Sequence, residues 1–567
     1  MYKSALAIRE RLAKANPHTY EPALANSYNN LANLYSDTQR IKESETMYKS
    51  ALAIRERLAK ASPQAYEPAL ADSYNNLALL YSHTQRFQES ESMHKSALTI
   101  YERLAKANPQ AYEPALARSY NNLALLYSYT QRYQESETMY KSALAIRERL
   151  AKENPQAYEP DLADSYNNMA VLYYNTQRYD ESEAVYKTAL AIRERLAKEN
   201  PQAYEPDLAD SYNNMGVLYY NTQRYDESEA MYKSAIAIRE RLAKANPHTY
   251  EPDLANSYNN LAVLYYKTQR FHKSEAMYRS AIAIYERLAK AKPQTYEPDL
   301  ADIYHNLAAL NKQLQCFLVS EAMYRSAIAI RKRLAKANPQ VYEPDLADSY
   351  YDLAALYKKA KFYDESETMY KSALAIRERL AKVNPQVYES DLADTYHNMA
   401  VLYYYIRRYH ESETMYKSAL AIYERLAKVN PQAYEPELAQ SYNDMGCLCH
   451  VTQRFLECEE MFKAALAMRE RLAMNSPQAY EPALADSYYN LAILYRDAQR
   501  YDESEAMYKS SIAIREHLTE DDPQLYGSGL AQAYSNLAIL YNKTRRFAES
   551  EEMANAAAAI RERLGIE

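Results

Sequence analysis

Apolar and polar positions in residues 158–200 alternate with the period of two amphipathic helices. In the first half, apolar side chains recur three or four residues apart, which is typical of a helix with one buried face. After the "NTQR" segment, the apolar positions form two stripes. The stripes are Val185–Ala189–Ile192–Leu196 and Tyr186–Leu190–Ala197. A helix that is apolar on two sides has to pack between neighbours, so the pattern predicts a helix pair inside a larger array.

The 22 prolines all lie in the segment that joins one helix pair to the next. Twelve occupy a first position, from Pro17 to Pro523, and ten a second, from Pro22 to Pro482. Because proline removes a hydrogen bond in a helix interior, we expect no proline inside either helix. We expect the first helix of residues 158–200 to start at Pro160, where a missing N–H costs nothing.

The same pattern returns every 46 residues without insertion or deletion. The tyrosine of the "YEP" motif marks this period at Tyr20, Tyr66, Tyr112, Tyr158, Tyr204, Tyr250, Tyr296, Tyr342, Tyr388, Tyr434, Tyr480 and Tyr526. Self-similarity of this kind is the signature of a solenoid in which each repeat packs on its neighbours. The prediction is an all-α protein in which residues 17–567 form twelve two-helix repeats of one continuous solenoid.

Residues 1–16 correspond to the second helix of a repeat whose first helix is absent. The fourteen letters "MYKSALAIRERLAK" that open the chain return at Met47, Met139 and Met369. We therefore interpret 1–16 as a half-repeat, either a truncated beginning or a natural cap. The last segment, "EEMANAAAAIRERLGIE", has less apolar bulk. We expect it to be a true end.

The repeat resembles the tetratricopeptide repeat. The positions that carry the signature of large, Leu, small, Tyr, then small, aromatic, Ala are Tyr166, Met169, Ala170, Tyr173, Ser182, Tyr186 and Ala189. The strings "YNNLAVLY" (258–265) and "SAIAIYERL" (280–288) are similar to kinesin-light-chain repeats. The resemblance implies a right-handed superhelical solenoid of antiparallel helix pairs. It also implies that the first helices line a concave face, which binds peptides or partner proteins.

One departure from that family lies in the turn between the two helices. The family's usual glycine is glutamine here, as at Gln177, Gln223 and Gln269. Since glycine favours backbone conformations that other residues avoid, we expect this turn to close by a different backbone route.

Three rows of residues along the first helices are the candidate binding positions. The first row is Asn29, Asn75, Asn121, Asn167, Asn213 and Asn259, whose amides could bond a peptide backbone. The second row is Tyr174, Tyr220, Tyr266 and Tyr404, which could anchor a ligand. The third is acidic and includes Asp164 and Asp210. The alternatives are that duplication copied a harmless asparagine and that the acidic row is a solvated face. We assign the neighbouring row of Asn30, Asn76 and Asn122 to packing between helices.

Repeat 7 departs most from the others. It reads "NKQLQCFLVS" at 311–320, where another repeat reads "YYNTQRYDES", and so places Phe317, Leu318 and Val319 at a turn. Decay, a local bend or a dedicated apolar contact site would each explain this segment.

Composition excludes several other functions. The net charge of -7 argues against a nucleic-acid or anionic-membrane surface, and no run of 18 apolar residues occurs. Four cysteines in 567 residues form no disulfide framework, so we expect a cytoplasmic protein. Because neighbours on a helix two residues apart point away from each other, we interpret Cys447, Cys449 and Cys458 as small buried thiols and expect no metal site.

The sequence therefore predicts a protein–protein interaction scaffold. No nucleotide-binding, zinc-protease or esterase motif occurs, so we expect neither an enzyme nor a cofactor. The expected partner is a peptide or protein of unknown identity, bound on the concave face by a monomer. The alternative is a sensor or regulatory array of a larger protein, whose effector domain lies outside this chain.

Overall fold

Every regular element in residues 2–565, the part of the chain that the computed structural model describes, is an α-helix. Met1, Ile566 and Glu567 lie outside the described residues. The predictions for the two ends of the chain are therefore not tested at these three residues. The helices are α1 (Tyr2–Ala15), α2 (Pro17–Asp37), α3 (Ile41–Ala61), α4 (Pro63–His83), α5 (Phe87–Ala107), α6 (Pro109–Tyr129), α7 (Tyr133–Glu153), α8 (Pro155–Asn175), α9 (Tyr179–Glu199), α10 (Pro201–Asn221), α11 (Tyr225–Ala245), α12 (Pro247–Lys267), α13 (Phe271–Ala291), α14 (Pro293–Gln313), α15 (Phe317–Ala337), α16 (Pro339–Lys359), α17 (Tyr363–Val383), α18 (Pro385–Tyr405), α19 (Tyr409–Val429), α20 (Pro431–Val451), α21 (Phe455–Asn475), α22 (Pro477–Asp497), α23 (Tyr501–Asp521), α24 (Pro523–Lys543) and α25 (Phe547–Leu564).

Each repeat consists of two helices joined by a three-residue turn, and a single residue leads to the next repeat. The first and second helices of the repeat at 155–200 have 21 residues each. Since so short a turn leaves no room for a crossover, the two helices run antiparallel. This arrangement confirms the all-α class and the helix pair in each 46-residue repeat.

The prediction that no proline lies inside a helix is wrong. α8 begins at Pro155, and Pro160 lies inside it. The first proline suits the start of the helix because its missing N–H would have no intrahelical partner there. In α8 the side chain of Asn154 also accepts a hydrogen bond from the backbone N–H of Ala157 at 3.3 Å. In α18 the second proline position holds Ser390, and that helix has the same 21 residues. The proline at this position therefore does not set the helix boundary.

The turn between the helices closes by the route that glycine commonly takes, so the expectation of a different route is also wrong. Gln177 has φ of 59°, in the left-handed region. Its N–H donates to the carbonyl of Tyr174 at 3.0 Å, and the N–H of Arg178 donates to that of Tyr173 at 2.9 Å. These two bonds make a Schellman motif, which usually has glycine at its left-handed position. Equivalent positive φ angles occur in all twelve turns.

A buried serine joins the two helices of most pairs. In the repeat at 155–200, Ser182 Oγ of α9 donates to the carbonyl of Ala170 in α8 at 2.8 Å. Ser182 and Ala170 are both fully buried, and Tyr186 packs against the same alanine. The small side chain at Ala170 lets the helices approach closely enough for this bond, which explains the small residues of the signature.

The chain consists of two compact units, Met1–Ile284 and Tyr285–Glu567, and the division falls inside α13. Within the first unit, first helices of successive repeats contact each other. For example, α6 contacts α8, and α10 contacts α12. Within the second unit the same holds for α14 with α16 and α18 with α20. That the repeats form one continuous right-handed solenoid stays a prediction. No helix among the described residues is long and apolar enough to cross a membrane.

Candidate functional site

The asparagine row that begins with Asn29 is hydrogen-bonded to the neighbouring row that begins with Asn30. The bonds form where the first helices of successive repeats contact each other. Asn214 Nδ2 donates to Asn167 Oδ1 at 3.2 Å, and Asn260 Nδ2 donates to Asn213 Oδ1 at 3.2 Å. The same bond joins Asn76 to Asn29 at 3.1 Å. These bonds show that the first row, like the second, takes part in contacts between repeats, and its role in peptide binding stays a prediction. An amide that faces the next first helix is polar enough to bond its counterpart there, so both rows connect repeats.

The other candidate asparagines are held differently. Asn75 is only 5% exposed and donates from Nδ2 to Ser119 Oγ at 2.9 Å. Asn121 Oδ1 accepts from Ser165 Oγ at 3.4 Å. Asn259 Oδ1 is buried without a hydrogen-bond partner among the described residues. The six side chains share a position in the repeat but not a set of partners.

The tyrosine row lies at the end of the first helices, beside the turn. Tyr174, Tyr220, Tyr266 and Tyr404 each contact the aromatic ring that starts the following helix, with ring centroids 5.9–6.1 Å apart. Burial is the main cause that raises the pKa of Tyr174 and Tyr220. Rings packed on one side and half-buried offer rigid apolar area at a low cost in conformational entropy.

The acidic row pairs with buried arginines of the chain itself. Asp164 Oδ1 lies 2.5 Å from Arg193 Nη2, although the Asp164 side chain is 52% exposed. The Arg193 guanidinium also donates to Ser211 Oγ at 2.6 Å and to the backbone carbonyl of Asp207 at 3.0 Å. Asp210 makes the same pair with Arg239. These carboxylates therefore stabilise buried cations within the array as well as facing solvent.

A sequence signal for this pairing was missed. In two repeats a tyrosine replaces the buried arginine and binds the same row. Tyr101 donates to Asp72 Oδ1 at 2.7 Å, and Tyr423 donates to Asp394 Oδ1. Whether that residue is arginine or tyrosine, the side chain 29 residues after the aspartate donates a hydrogen bond to it.

Two histidine–aspartate pairs in the second unit were missed as well. His305 Nε2 lies 3.3 Å from Asp352, and His397 Nε2 lies 3.4 Å from Asp444. These pairs occupy the positions that two asparagines occupy elsewhere, so both partners changed together. Burial lowers the pKa of His397, and the Asp444 carboxylate opposes that shift. Comparing the two rows repeat by repeat would have found both pairs.

Lysines occupy the tyrosine row in the same unit. Lys312 Nζ lies 3.3 Å from Asp352, and Lys358 Nζ donates to Asn398 Oδ1 at 2.9 Å. Burial lowers the pKa of Lys358 to about 8. The first-helix face of the second unit is therefore charged and titratable, whereas the tyrosine and asparagine rows of the first unit are neutral.

The cysteine cluster consists of thiols in the core. Cys449 and Cys458 are fully buried, and Cys447 is half-buried. Burial raises the pKa of Cys447 to about 12, so this thiol stays protonated at neutral pH. Within residues 2–565, no three His, Cys, Asp or Glu side chains are placed to hold a metal ion.

The helix pair, its period and its buried small residues define the class of helical-repeat proteins. Two family models, both described as tetratricopeptide repeat, match the chain over more than half its length. The matched residues are 23–103, 69–149, 161–241, 207–287, 345–425 and 437–517 for one model and 530–564 for the other. The chain belongs to the tetratricopeptide repeat family, whose arrays serve in general as scaffolds for protein–protein interaction.

Several solved structures match parts of the chain. BtubC (BKLC) from P. vanneervenii is 27% identical, with 44% of this chain and 92% of that chain covered and a TM-score of 0.37. A putative kinesin light chain from Podospora anserina is 18% identical, with 40% and 98% covered and a TM-score of 0.32. The quorum sensor NprR from B. thuringiensis is 15% identical, with 70% and 97% covered and a TM-score of 0.41. No curated protein matches the chain.

Proposed function

We propose that the chain is a non-enzymatic scaffold that binds an extended peptide of a partner protein along its first helices. The observation that carries this proposal is the row Tyr174, Tyr220 and Tyr266 in the first unit. The three tyrosines stand one repeat apart, and each packs on one neighbouring ring at about 6 Å. No cofactor or metal is part of this proposal.

The amides beside this row supply polar contacts to a peptide backbone. Asn167 and Asn213 each accept one bond at Oδ1 from the next repeat. That bond holds the amide in one orientation. A side-chain amide has two N–H donors and a second lone pair, which leaves groups to bond the C=O and N–H of an extended chain. The peptide's own side chains would then contact the tyrosine rings.

A display selection tests this proposal without a known partner. Random peptides on phage are selected on the intact chain, and the affinity of the recovered peptides is measured for the intact chain and for the double variant Y174S/Y220S. Serine is the residue at this position in three other repeats, namely at Ser36, Ser82 and Ser128. The double variant should therefore fold normally. We expect it to lose about tenfold or more in affinity, since aromatic anchors dominate such interfaces.

The matched control is Tyr129→Ser. Tyr129 is 64% exposed and stands next to this row on its helix. Its loss should leave the affinity unchanged. Recovered peptides that bind Y174S/Y220S as well as the intact chain would overturn the proposal, and so would a selection that recovers no peptide.

A further inference from the structure

The turns of repeats 7 and 8 lack the arginine that the other turns share, although Glu321, Arg325 and Tyr357 still bond one another beside the second of them. In a typical turn, Arg178 lies 4.1 Å over the Tyr173 ring and pairs with Glu137 of the preceding repeat at 2.7 Å. The equivalents of Arg178 in repeats 7 and 8 are Cys316 and Phe362. Two neighbouring turns have therefore both lost the arginine.

An aromatic and aliphatic surface takes the place of the arginine. The rings of Phe317 and Phe362 stack with centroids 5.4 Å apart. Leu318 is 77% exposed and Phe362 is 48% exposed. We call this surface, formed by Cys316, Phe317, Leu318, Val319 and Phe362, the apolar turn patch.

A cavity of about 160 Å³ opens beside the patch. Its apolar walls are Phe317, Leu356 and Ala360, and its polar lining residues include Lys312 and Lys359. This volume accommodates one aliphatic side chain of a ligand.

The backbone at these turns has not changed. Gln315 and Lys361 have φ of 58° and 65°, as in the other turns. The N–H of Cys316 donates to the carbonyl of Asn311 at 2.9 Å, and that of Phe362 donates to Tyr357 at 2.9 Å, which preserves the Schellman motif. A local bend therefore does not explain the substitutions.

Lysines lie on the cavity side of the patch, whereas Asp364 and Glu365 lie in the first turn of the helix that follows Phe362. Residues 357–362 read "YKKAKF", and residues 311–320 hold one lysine and no acidic residue. Lys359 and Lys361 are exposed and form no ion pair with any described residue. An apolar cavity with Lys359 in its wall favours a ligand that carries a carboxylate beside its aliphatic side chain.

We propose that the apolar turn patch is a docking site for an acidic segment of a partner protein, which inserts one aliphatic side chain into the cavity. The carboxylates of the segment would contact Lys359 and Lys361. The aliphatic side chain would contact Phe317 and Leu356. This site is separate from the tyrosine row of the proposed function, which lies in the other unit.

A selection with depletion tests this site directly. Random peptides on phage are first depleted on the variant L318D/F362R and then selected on the intact chain. The variant introduces the residues that the repeat at 155–200 has at the equivalent positions, Asp180 and Arg178. It should therefore keep the fold. We expect the recovered peptides to share an aliphatic residue beside Asp or Glu. Their affinity for L318D/F362R should be lower by about tenfold or more.

Repeat 10 offers a matched control. Leu456 is 83% exposed at the position of Leu318, but Arg454 is present in that turn. The variant L456D should bind the recovered peptides as tightly as the intact chain, and so should Y174S/Y220S. Any of three results would overturn the proposal. The recovered peptides could lack the aliphatic and acidic residues, they could bind L318D/F362R as tightly as the intact chain, or no peptide could be recovered after depletion. Y174S/Y220S tests the proposed function separately.

Discussion

Buried polar side chains at single positions determine how neighbouring repeats are held together. The Arg193 guanidinium, with a side chain only 8% exposed, bonds Asp164 of its own repeat and Ser211 of the next. A buried cation that loses its carboxylate is costly, whereas a neutral replacement of the cation avoids that cost. The two partners of this pair should therefore respond differently to substitution.

Replacing Asp164 by Ala should lower the free energy of unfolding by about 1–2 kcal/mol, because it removes a charge-assisted hydrogen bond from a buried arginine. The substitution R193Y should cost less, since Tyr101 and Tyr423 bond the same aspartate row in other repeats. Urea denaturation measures both. A larger loss for R193Y than for D164A would contradict this account.

His94 introduces a pH dependence into one repeat. It is 1% exposed, and burial lowers its pKa from 6.5 to about 4. Below pH 6.5 the unfolded chain binds a proton that the folded chain does not, so its contribution to stability falls as the pH falls toward about 4. Between pH 7 and 5 the loss should be about 2 kcal/mol.

The variant H94Y should remove that part of the pH dependence, because tyrosine fills the position at Tyr48, Tyr140 and Tyr186. Urea denaturation of both proteins at several pH values measures it. The exposed His272 provides the control, and H272Y should leave the profile of the parent chain unchanged. A profile for H94Y that matches the parent chain would show that His94 does not titrate in this range.

At the scale of the helix and turn, the period and the amphipathic stripes predict two helices per repeat, and the structure has them. The boundaries were harder to predict. Pro160 resembles a helix start, but α8 begins five residues earlier, at Pro155, where proline also fits the first helical position. Similarly, the identity of Gln177 does not reveal its left-handed φ of 59°.

Glycine should stabilise these turns. A left-handed conformation costs a residue other than glycine about 1–2 kcal/mol, and part of that is offset by the extra freedom of glycine in the unfolded chain. The variant Q177G/Q223G should therefore raise the free energy of unfolding by about 1 kcal/mol and raise the melting temperature. The control is A184G, which places glycine at an exposed position inside α9. There glycine should lower the free energy of unfolding by about 1 kcal/mol. A lower melting temperature for Q177G/Q223G would contradict the turn geometry.

At the scale of the whole molecule, the repeat period could be read from the sequence, but contacts between repeats could not. Arg193 and Ser211 lie in successive repeats, 18 residues apart, and only the packing of their helices brings them together. The asparagine rows were identified as candidates, yet their mutual bonds depend on the contact between successive first helices. Each repeat contacts its neighbours along the chain, so stability should also be local.

Hydrogen exchange tests that locality. D164A should accelerate amide exchange in α8–α11, which adjoin the substituted pair, and leave protection in α20–α24 unchanged, since stability spreads through neighbouring repeats. Mass spectrometry of exchanged peptides from D164A and the parent chain measures this. Equal acceleration throughout residues 2–565 would contradict the nearest-neighbour account.

The central claim is that the first helices of the first unit bind a peptide. Photo-cross-linking tests this binding. A benzophenone is placed in a peptide recovered by display selection on the intact chain without prior depletion. Mass spectrometry then maps the cross-linked sites. We expect cross-links in α8, α10 and α12, close to Tyr174, Tyr220 and Tyr266, and their loss in Y174S/Y220S. Cross-links confined to α9, α11 and α13, or unchanged in that variant, would contradict the claim.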